Sequence, residues 1–198
     1  CETCPHYLTL TEDDVEKLGT VAKCAPPLRS AGVQSELWQH LLAGDITTIG
    51  SDHSPSPPAM KRDANFFKIW GGISGVQHTL PLLLTERRAG LRPGESGTAD
   101  RNVPGWRPAL QLIADLLSAN VAGRFKLPNK GSIAIGYDAD FALVDLNQTF
   151  TVANADLLYR HQQSPYIGRA LTGRVVRTIL RGRTIFNNGK ITGTHPGR

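Results

Sequence analysis

The stretch Asp45-Ile46-Thr47-Thr48-Ile49-Gly50-Ser51-Asp52-His53-Ser54-Pro55 decides how the chain is to be read. Ile46 to Gly50 is a short β-branched run of the kind that lies buried in a parallel sheet. It hands over directly to a polar cluster, Ser51-Asp52-His53. Just upstream, Leu37, Leu41 and Leu42 put apolar groups on one face of a helix that Gly44 ends. A helix feeding a buried strand, with polar groups at the strand's end, is the grammar of βα units.

Working towards the amino terminus, the pattern repeats. Tyr7-Leu8-Thr9-Leu10 reads as extended, Thr11 can cap a helix opening on Glu12-Asp13-Asp14, and Thr20 to Lys23 reads as a second short strand stopped by Pro26-Pro27. Towards the carboxyl terminus, Ser54 to Ala59 holds three prolines and is expected to be an irregular loop. Gly71-Gly72 is expected to open a helix with Val76, Leu80, Leu83 and Leu84 on its apolar side. Gly90 to Pro108 is expected to be loop, and Leu110, Ile113, Ala114 and Leu117 follow the i, i+3, i+4, i+7 template of an amphipathic helix. From Lys130 the chain turns to β, with strands expected at Ile133–Ile135, Phe141–Leu146 and Val175–Leu180.

This order of parts predicts an α/β fold: the closing units of a (β/α)8 barrel over residues 1–128, then strands and tail of a small β-sandwich over residues 129–198. A whole barrel takes about 250 residues, so 198 residues hold part of the fold. The chain opens at Cys1 without a Met and reads as a piece of something longer.

Composition narrows the function. With 40% hydrophobic and 20% charged residues the chain is globular in character rather than disordered. The net charge of +5 is scattered, without interleaved stacking aromatics, so a solvated basic surface is expected and no nucleic-acid partner. Apolar runs such as Leu80 to Leu84 are too short to cross a bilayer, so no membrane span is expected. Three cysteines argue against a disulfide framework and for a reducing, cytoplasmic setting.

In a barrel of this kind, chemistry sits at the carboxyl ends of the strands. Two polar clusters fall there, Glu2-Thr3-Cys4-Pro5-His6-Tyr7 and Gly50-Ser51-Asp52-His53-Ser54-Pro55. An imidazole and a carboxylate from separate strand ends can converge on a metal such as zinc. On spacing alone the same pair reads more readily as a core histidine bonded to a carbonyl and a turn-capping aspartate. Cys4 and Cys24 read as inert packing thiols, and His40, His78, His161 and His195 as solvated or structural.

The segments are more specific than their spacing. Glu2-Thr3-Cys4-Pro5-His6-Tyr7-Leu8, Lys23-Cys24-Ala25-Pro26-Pro27-Leu28-Arg29 and Gly50-Ser51-Asp52-His53-Ser54-Pro55, in that order, resemble the cyclic amidohydrolases, which include dihydroorotases, hydantoinases and allantoinases. Pro57-Pro58-Ala59-Met60-Lys61 and Trp70-Gly71-Gly72-Ile73-Ser74-Gly75-Val76-Gln77 resemble the allantoinase branch. Lys130-Gly131-Ser132-Ile133, Gly136-Tyr137-Asp138-Ala139-Asp140-Phe141 and Thr178-Ile179-Leu180-Arg181-Gly182 are similar to the family's β-sandwich segments.

The resemblance implies a binuclear divalent metal centre, zinc by default, with iron, cobalt or manganese compatible with the same donors. It makes His6 a ligand of one metal. It makes Asp52 a ligand of the other and the proton shuttle, and it places Ala25 and Gly71 where backbone groups hold the substrate's ring amide. Two metals activate a shared water, and a carboxylate beside it moves the proton to the leaving nitrogen. The implied substrate is a small cyclic ureide, allantoin, opened to allantoate, in a homo-oligomer (tetramers among relatives). A hydantoinase- or dihydropyrimidinase-type hydrolase and a non-catalytic homologue are the alternatives. The family's remaining ligands, a His-x-His, a carboxylated lysine and a further His, belong to earlier strands, and no His-x-His occurs in these 198 residues. Ser56 and Val121 depart from the usual Cys and Pro without touching a ligand. By itself the segment is expected to be inactive.

Overall fold

The computed structural model describes residues 1–88 and 106–192. Its elements in chain order are β1 (Glu2–Thr3), α1 (Pro5–Thr9), α2 (Glu12–Leu18), α3 (Ala31–Ala43), β2 (Thr48–Ile49), α4 (Thr79–Arg88), α5 (Trp106–Ala114), α6 (Asn120–Arg124), β3 (Phe141–Thr151), β4 (Ala170–Leu180), β5 (Arg183–Asn187) and β6 (Lys190–Ile191). A π-helical turn, Asp115–Ala119, joins α5 to α6. β1 and β2 pair in parallel, Glu2 opposite Thr48 and Thr3 opposite Ile49. β3 to β6 form an antiparallel sheet in sequence order.

Several expected elements are present. Thr11 closes a capping box with Asp14 at the start of α2. Ser30 caps α3, and Gly44 at φ 87° ends it. Thr48–Ile49 is a buried parallel strand, and Ser54 to Pro57 is irregular before a 3-10 turn at Pro58–Lys61.

Others differ, each for a local reason. Tyr7–Leu10 is not a strand. Pro5 sits at the first helical position behind an extended Cys4, and the following residues wind into α1. The Nε1–H of Trp38 then donates to the carbonyl of Leu8 and the Nε2 amide of Gln34 to that of Leu10, so α3 satisfies the carbonyls where α1 ends. Thr20–Lys23 is a 3-10 turn, Gly19–Ala22, entered through Gly19 at φ 71°.

The Gly71-Gly72 pair does not open a helix either, since α4 begins at Thr79 after a 3-10 turn at Val76–His78 that leaves Val76 exposed. Ile133–Ile135 is exposed and irregular. There the ammonium of Lys130 pairs with both Asp138 and Asp140, and the N–H of Asp138 donates to the carbonyl of Asn129, so the segment closes on itself as a loop. The sheet strands run longer than expected, with β5 and β6 added. Most of Gly90 to Pro108, and His195, lie outside the described residues.

Two apolar cores meet at α4. Leu82 belongs to one, with Leu10, Leu28, Ile73, Val152, Leu157, Tyr166 and Leu171. Leu83 and Leu84 belong to the other, with Leu8, Leu41, Ile46, Ile49, Ile113 and Leu116. Three consecutive buried leucines leave this part of the helix no solvated face. Both cores draw on segments before and after residue 128: Leu171 packs with Leu10, and Val144 and Leu146 pack against the Leu83–Leu84 side.

Two predictions follow from this packing. Gly173 in β4 has φ 88°, and a Cβ there would lie 2.6 Å from Leu84 Cδ1. Gly173→Ala therefore combines left-handed strain with a clash and should destabilise by about 2 kcal/mol or more in denaturant unfolding. His78 is 3% exposed, and burial lowers its pKa from 6.5 to about 4, against a small opposing pull from Asp156. The fold thus favours the neutral ring. Stability should rise with pH between about 4 and 6.5, by at most roughly 3 kcal/mol, and His78→Phe should flatten that slope.

Candidate active site

β1 and β2 run side by side and both deliver their chains to the same end. The N–H of Gly50 donates to the carbonyl of Thr3 at 3.0 Å, which fixes where each strand stops. A Cβ on Gly50 would fall 2.8 Å from Glu2 Oε1, so the Glu2 carboxylate lies over the end of β2. Cys4 and His6 follow β1, and Asp52 follows β2. Their ligand atoms, a thiol sulfur, an imidazole nitrogen and a carboxylate oxygen, all lie within 4.8 Å of one another.

His6 is 1% exposed and its Nε2 finds no hydrogen-bond partner among the described residues. Burial lowers its pKa, with Asp52 pulling the other way, so the ring is held neutral, the form that ligates. Asp52 is exposed and takes φ 42°, a left-handed conformation that an aspartate tolerates better than most residues. Buried polar atoms are ordinarily satisfied. A buried neutral imidazole whose ring nitrogen lies within 4.8 Å of a carboxylate oxygen and a thiol sulfur is a donor set that fits a divalent cation of the zinc type.

Cys4 is the member sequence reasoning left out. Its thiol is pushed up to about 12, first by burial and then by Asp52, Glu2 and Cys24. Without a cation nearby it stays protonated at neutral pH and is a poor nucleophile. Its place two residues before His6 is the available signal, and in the fold Cys4 is the extended residue that precedes α1.

Beside this cluster the backbone is drawn together. Gly71 lies against Ala25: a Cβ on it would be 3.1 Å from the Cβ of Ala25 and 3.4 Å from its nitrogen. Gly72 lies against Ser54, where a Cβ would meet Oγ at 2.4 Å and the carbonyl oxygen at 2.7 Å. That close approach lets the N–H of Ser54 donate to the carbonyl of Ile73 at 2.9 Å and His53 bridge in parallel to Ile73. The N–H of Gly75 donates to His53 Nδ1 at 3.2 Å. The phenol of Tyr7 donates to the carbonyl of Pro26 at 2.9 Å, tying the helix that carries His6 to the turn that carries Ala25.

Of the other histidines, His40 pairs with Asp45 on the surface, while His78 is packed near the rings of Tyr159 and Tyr166. Lys61 and Lys23, which sequence reasoning did not weigh, both bond to backbone carbonyls near Gly71 and Gly72.

The two strand ends gather a carboxylate, an imidazole and a thiol that could together hold a metal ion, beside closely packed glycine backbone. The chain belongs to the amidohydrolase family, whose model matches residues 6–185. It is 53% identical over all 198 residues to an allantoinase of Deinococcus radiodurans and 49% identical to one of Rubrobacter xylanophilus, covering 40% of each. Among solved structures it is similar to the L-hydantoinase (dihydropyrimidinase) of Arthrobacter aurescens, with a TM-score of 0.84 and 32% identity over 98% of this chain and 40% of that one. The dihydropyrimidinase of Brevibacillus agri gives a TM-score of 0.80 and 30% identity over 97% of this chain and 40% of that one. The chain thus spans about 40% of the length of these relatives. Among the described residues, no helix is long and apolar enough to cross a membrane.

The close approach at Gly72 makes a prediction. Gly72→Ala should cost about 1–3 kcal/mol in unfolding experiments, and adding Ser54→Gly should recover only part of it, because the Ser54 carbonyl remains in the way.

Proposed function

We propose that the protein carrying this segment hydrolyses the cyclic amide of allantoin to give allantoate. The convergence of Cys4, His6 and Asp52 at two strand ends is the observation that carries a metal-assisted hydrolysis. The choice of ring rests on the relatives named allantoinase, at 40–53% identity, over the hydantoinases and dihydropyrimidinases, at 26–32%. Residues 1–128 are read as the closing units of the barrel and 129–198 as strands and tail of the small β-sandwich. A homo-oligomer in a reducing, cytoplasmic setting is the matching context, with the three described cysteines free.

Asp52 and His6 are assigned to the metal pair, zinc by default, whose other ligands would come from elsewhere in the full-length protein. When bound, the metals lower the pKa of the attacking water and polarise the amide carbonyl. Asp52, exposed at the strand end, accepts the proton released as the water oxygen bonds to the carbonyl carbon. It then returns that proton to the ring nitrogen as the C–N bond breaks. The backbone at Ala25 and Gly71 holds the ring amide, an edge that side chains would obstruct.

The 1% exposure of His6 favours a second reading, in which the buried ring only packs and positions the strand ends. Metal analysis separates the two: as a ligand, His6→Ala should leave the full-length protein with clearly less bound metal, whereas equal content makes His6 a positioning residue. Asp52→Asn should lower kcat by about 10²–10⁴-fold with the fold kept, and retention of more than about a tenth of the activity would remove Asp52 from the proton path.

A further inference from the structure

Lys61 is 6% exposed, at the end of the Pro58–Lys61 turn. Its ammonium donates to the carbonyl of Lys23 at 3.0 Å and to the carbonyl of Gly72 at 2.7 Å. Among the described residues it has no carboxylate partner. A buried cation without a counter-ion is costly and is retained only where its hydrogen bonds matter. Burial lowers its pKa to about 8, so it is still mainly charged at neutral pH.

The two carbonyls belong to different segments. Lys23 precedes Cys24-Ala25, and Gly72 follows Gly71. Those segments touch at Ala25 and Gly71, which leaves the ammonium bonded to the chain on both sides of the contact. Neighbouring bonds stiffen the same region. The ammonium of Lys23 donates to the carbonyls of Phe66 at 2.5 Å and Ile69 at 2.7 Å, and the N–H of Trp70 donates to the carbonyl of Met60 at 3.0 Å.

We propose that Lys61 is a positioning residue that sets the spacing of the two backbone edges, at Ala25 and Gly71, on which the substrate's ring amide is held. This rests on the proposed function, which gives those edges their role. Lys61 touches neither the Cys4–His6–Asp52 cluster nor the reacting bond, so its loss should weaken ring binding rather than the chemical step.

The experiment is steady-state kinetics on allantoin with the full-length protein, comparing the parent, Lys61→Met and Gly71→Ala, with metal content and melting temperature measured on each. Two hydrogen bonds from a charged donor are lost in Lys61→Met. Its KM should rise about tenfold or more, with kcat within about threefold and metal content unchanged. Gly71→Ala, which pushes against Ala25, should also raise KM. Should Lys61→Met fail to fold, Lys61→Gln keeps an uncharged, shorter N–H donor group and should show the smaller rise in KM.

Unchanged KM in the lysine variants beside a raised KM in Gly71→Ala would overturn the role of Lys61 and leave the two edges standing as a binding site. Unchanged KM in all the variants would remove the substrate role of the edges, and the proposal with it. A joint fall in kcat and metal content would show general loosening, which also overturns it.

Discussion

The burial of α4 on opposite sides is the constraint on which the other parts depend. Leu82, Leu83 and Leu84 are each at most 3% exposed, yet they serve two separate cores. A helix packed in this way cannot shift to relieve strain on one side without opening the other, because interiors are close-packed. β4 passes over it through Gly173, whose missing side chain lets the strand approach Leu84. At the far end the guanidinium of Arg169 joins Glu86 of α4 to the carbonyl of Thr9, the last residue of α1, even though burial raises the Glu86 pKa. Position of the sheet, position of α1 and therefore position of His6 are linked through one helix.

The site shows how little regular structure such a centre requires. β1 and β2 contribute two residue pairs, and the bond from Gly50 to Thr3 continues the ladder by one more step. What holds the donors is the packing around them. Leu8 on α1 and Ile49 on β2 lie in the same core, so the turns leading from Thr3 to His6 and from Ile49 to Asp52 start from fixed points. The resulting group brings together an imidazole held neutral by burial, a thiol held protonated, and an exposed aspartate.

Much of this was legible in the sequence. The capping residue Thr11, the stop at Gly44, the strand before Gly50 and the helix through Leu110 and Ile113 all rest on local chemistry, and local chemistry decided them. The failures have a common cause. Tyr7-Leu8-Thr9-Leu10 alternates like a strand, but Pro5 and the bonds from Trp38 and Gln34 of α3 make a helix of it, and those partners lie about 25 to 30 residues away. Gly71-Gly72 looks like a helix start, whereas its purpose is contact with Ala25 and Ser54, remote in sequence. Ile133 and Ile135 have strand character but no sheet neighbour among the described residues. Lys61 was invisible because no periodicity marks a buried lysine that bonds to carbonyls, and Cys4 reads as packing because no orienting group stands near it in sequence, Asp52 being remote along the chain.

The connection between β3 and β4 has a bearing on how such a protein can change over generations. From that connection, the amide of Gln163 reaches the carbonyl of Ser56, and Tyr159 accepts from the N–H of Gln77 while its ring lies near that of His53. Gln77 in turn donates to the carbonyl of Asp156 and accepts from the N–H of Leu158. The loops flanking Asp52 are therefore braced by residues that are encoded about a hundred positions later. A recombination event that exchanged the sheet for a cousin's would exchange those braces too, even with Cys4, His6 and Asp52 left in place. Inheritance should keep the two stretches together, and a chimaera joined between them would need matching partners for Ser56, Gln77 and His53 on the incoming side.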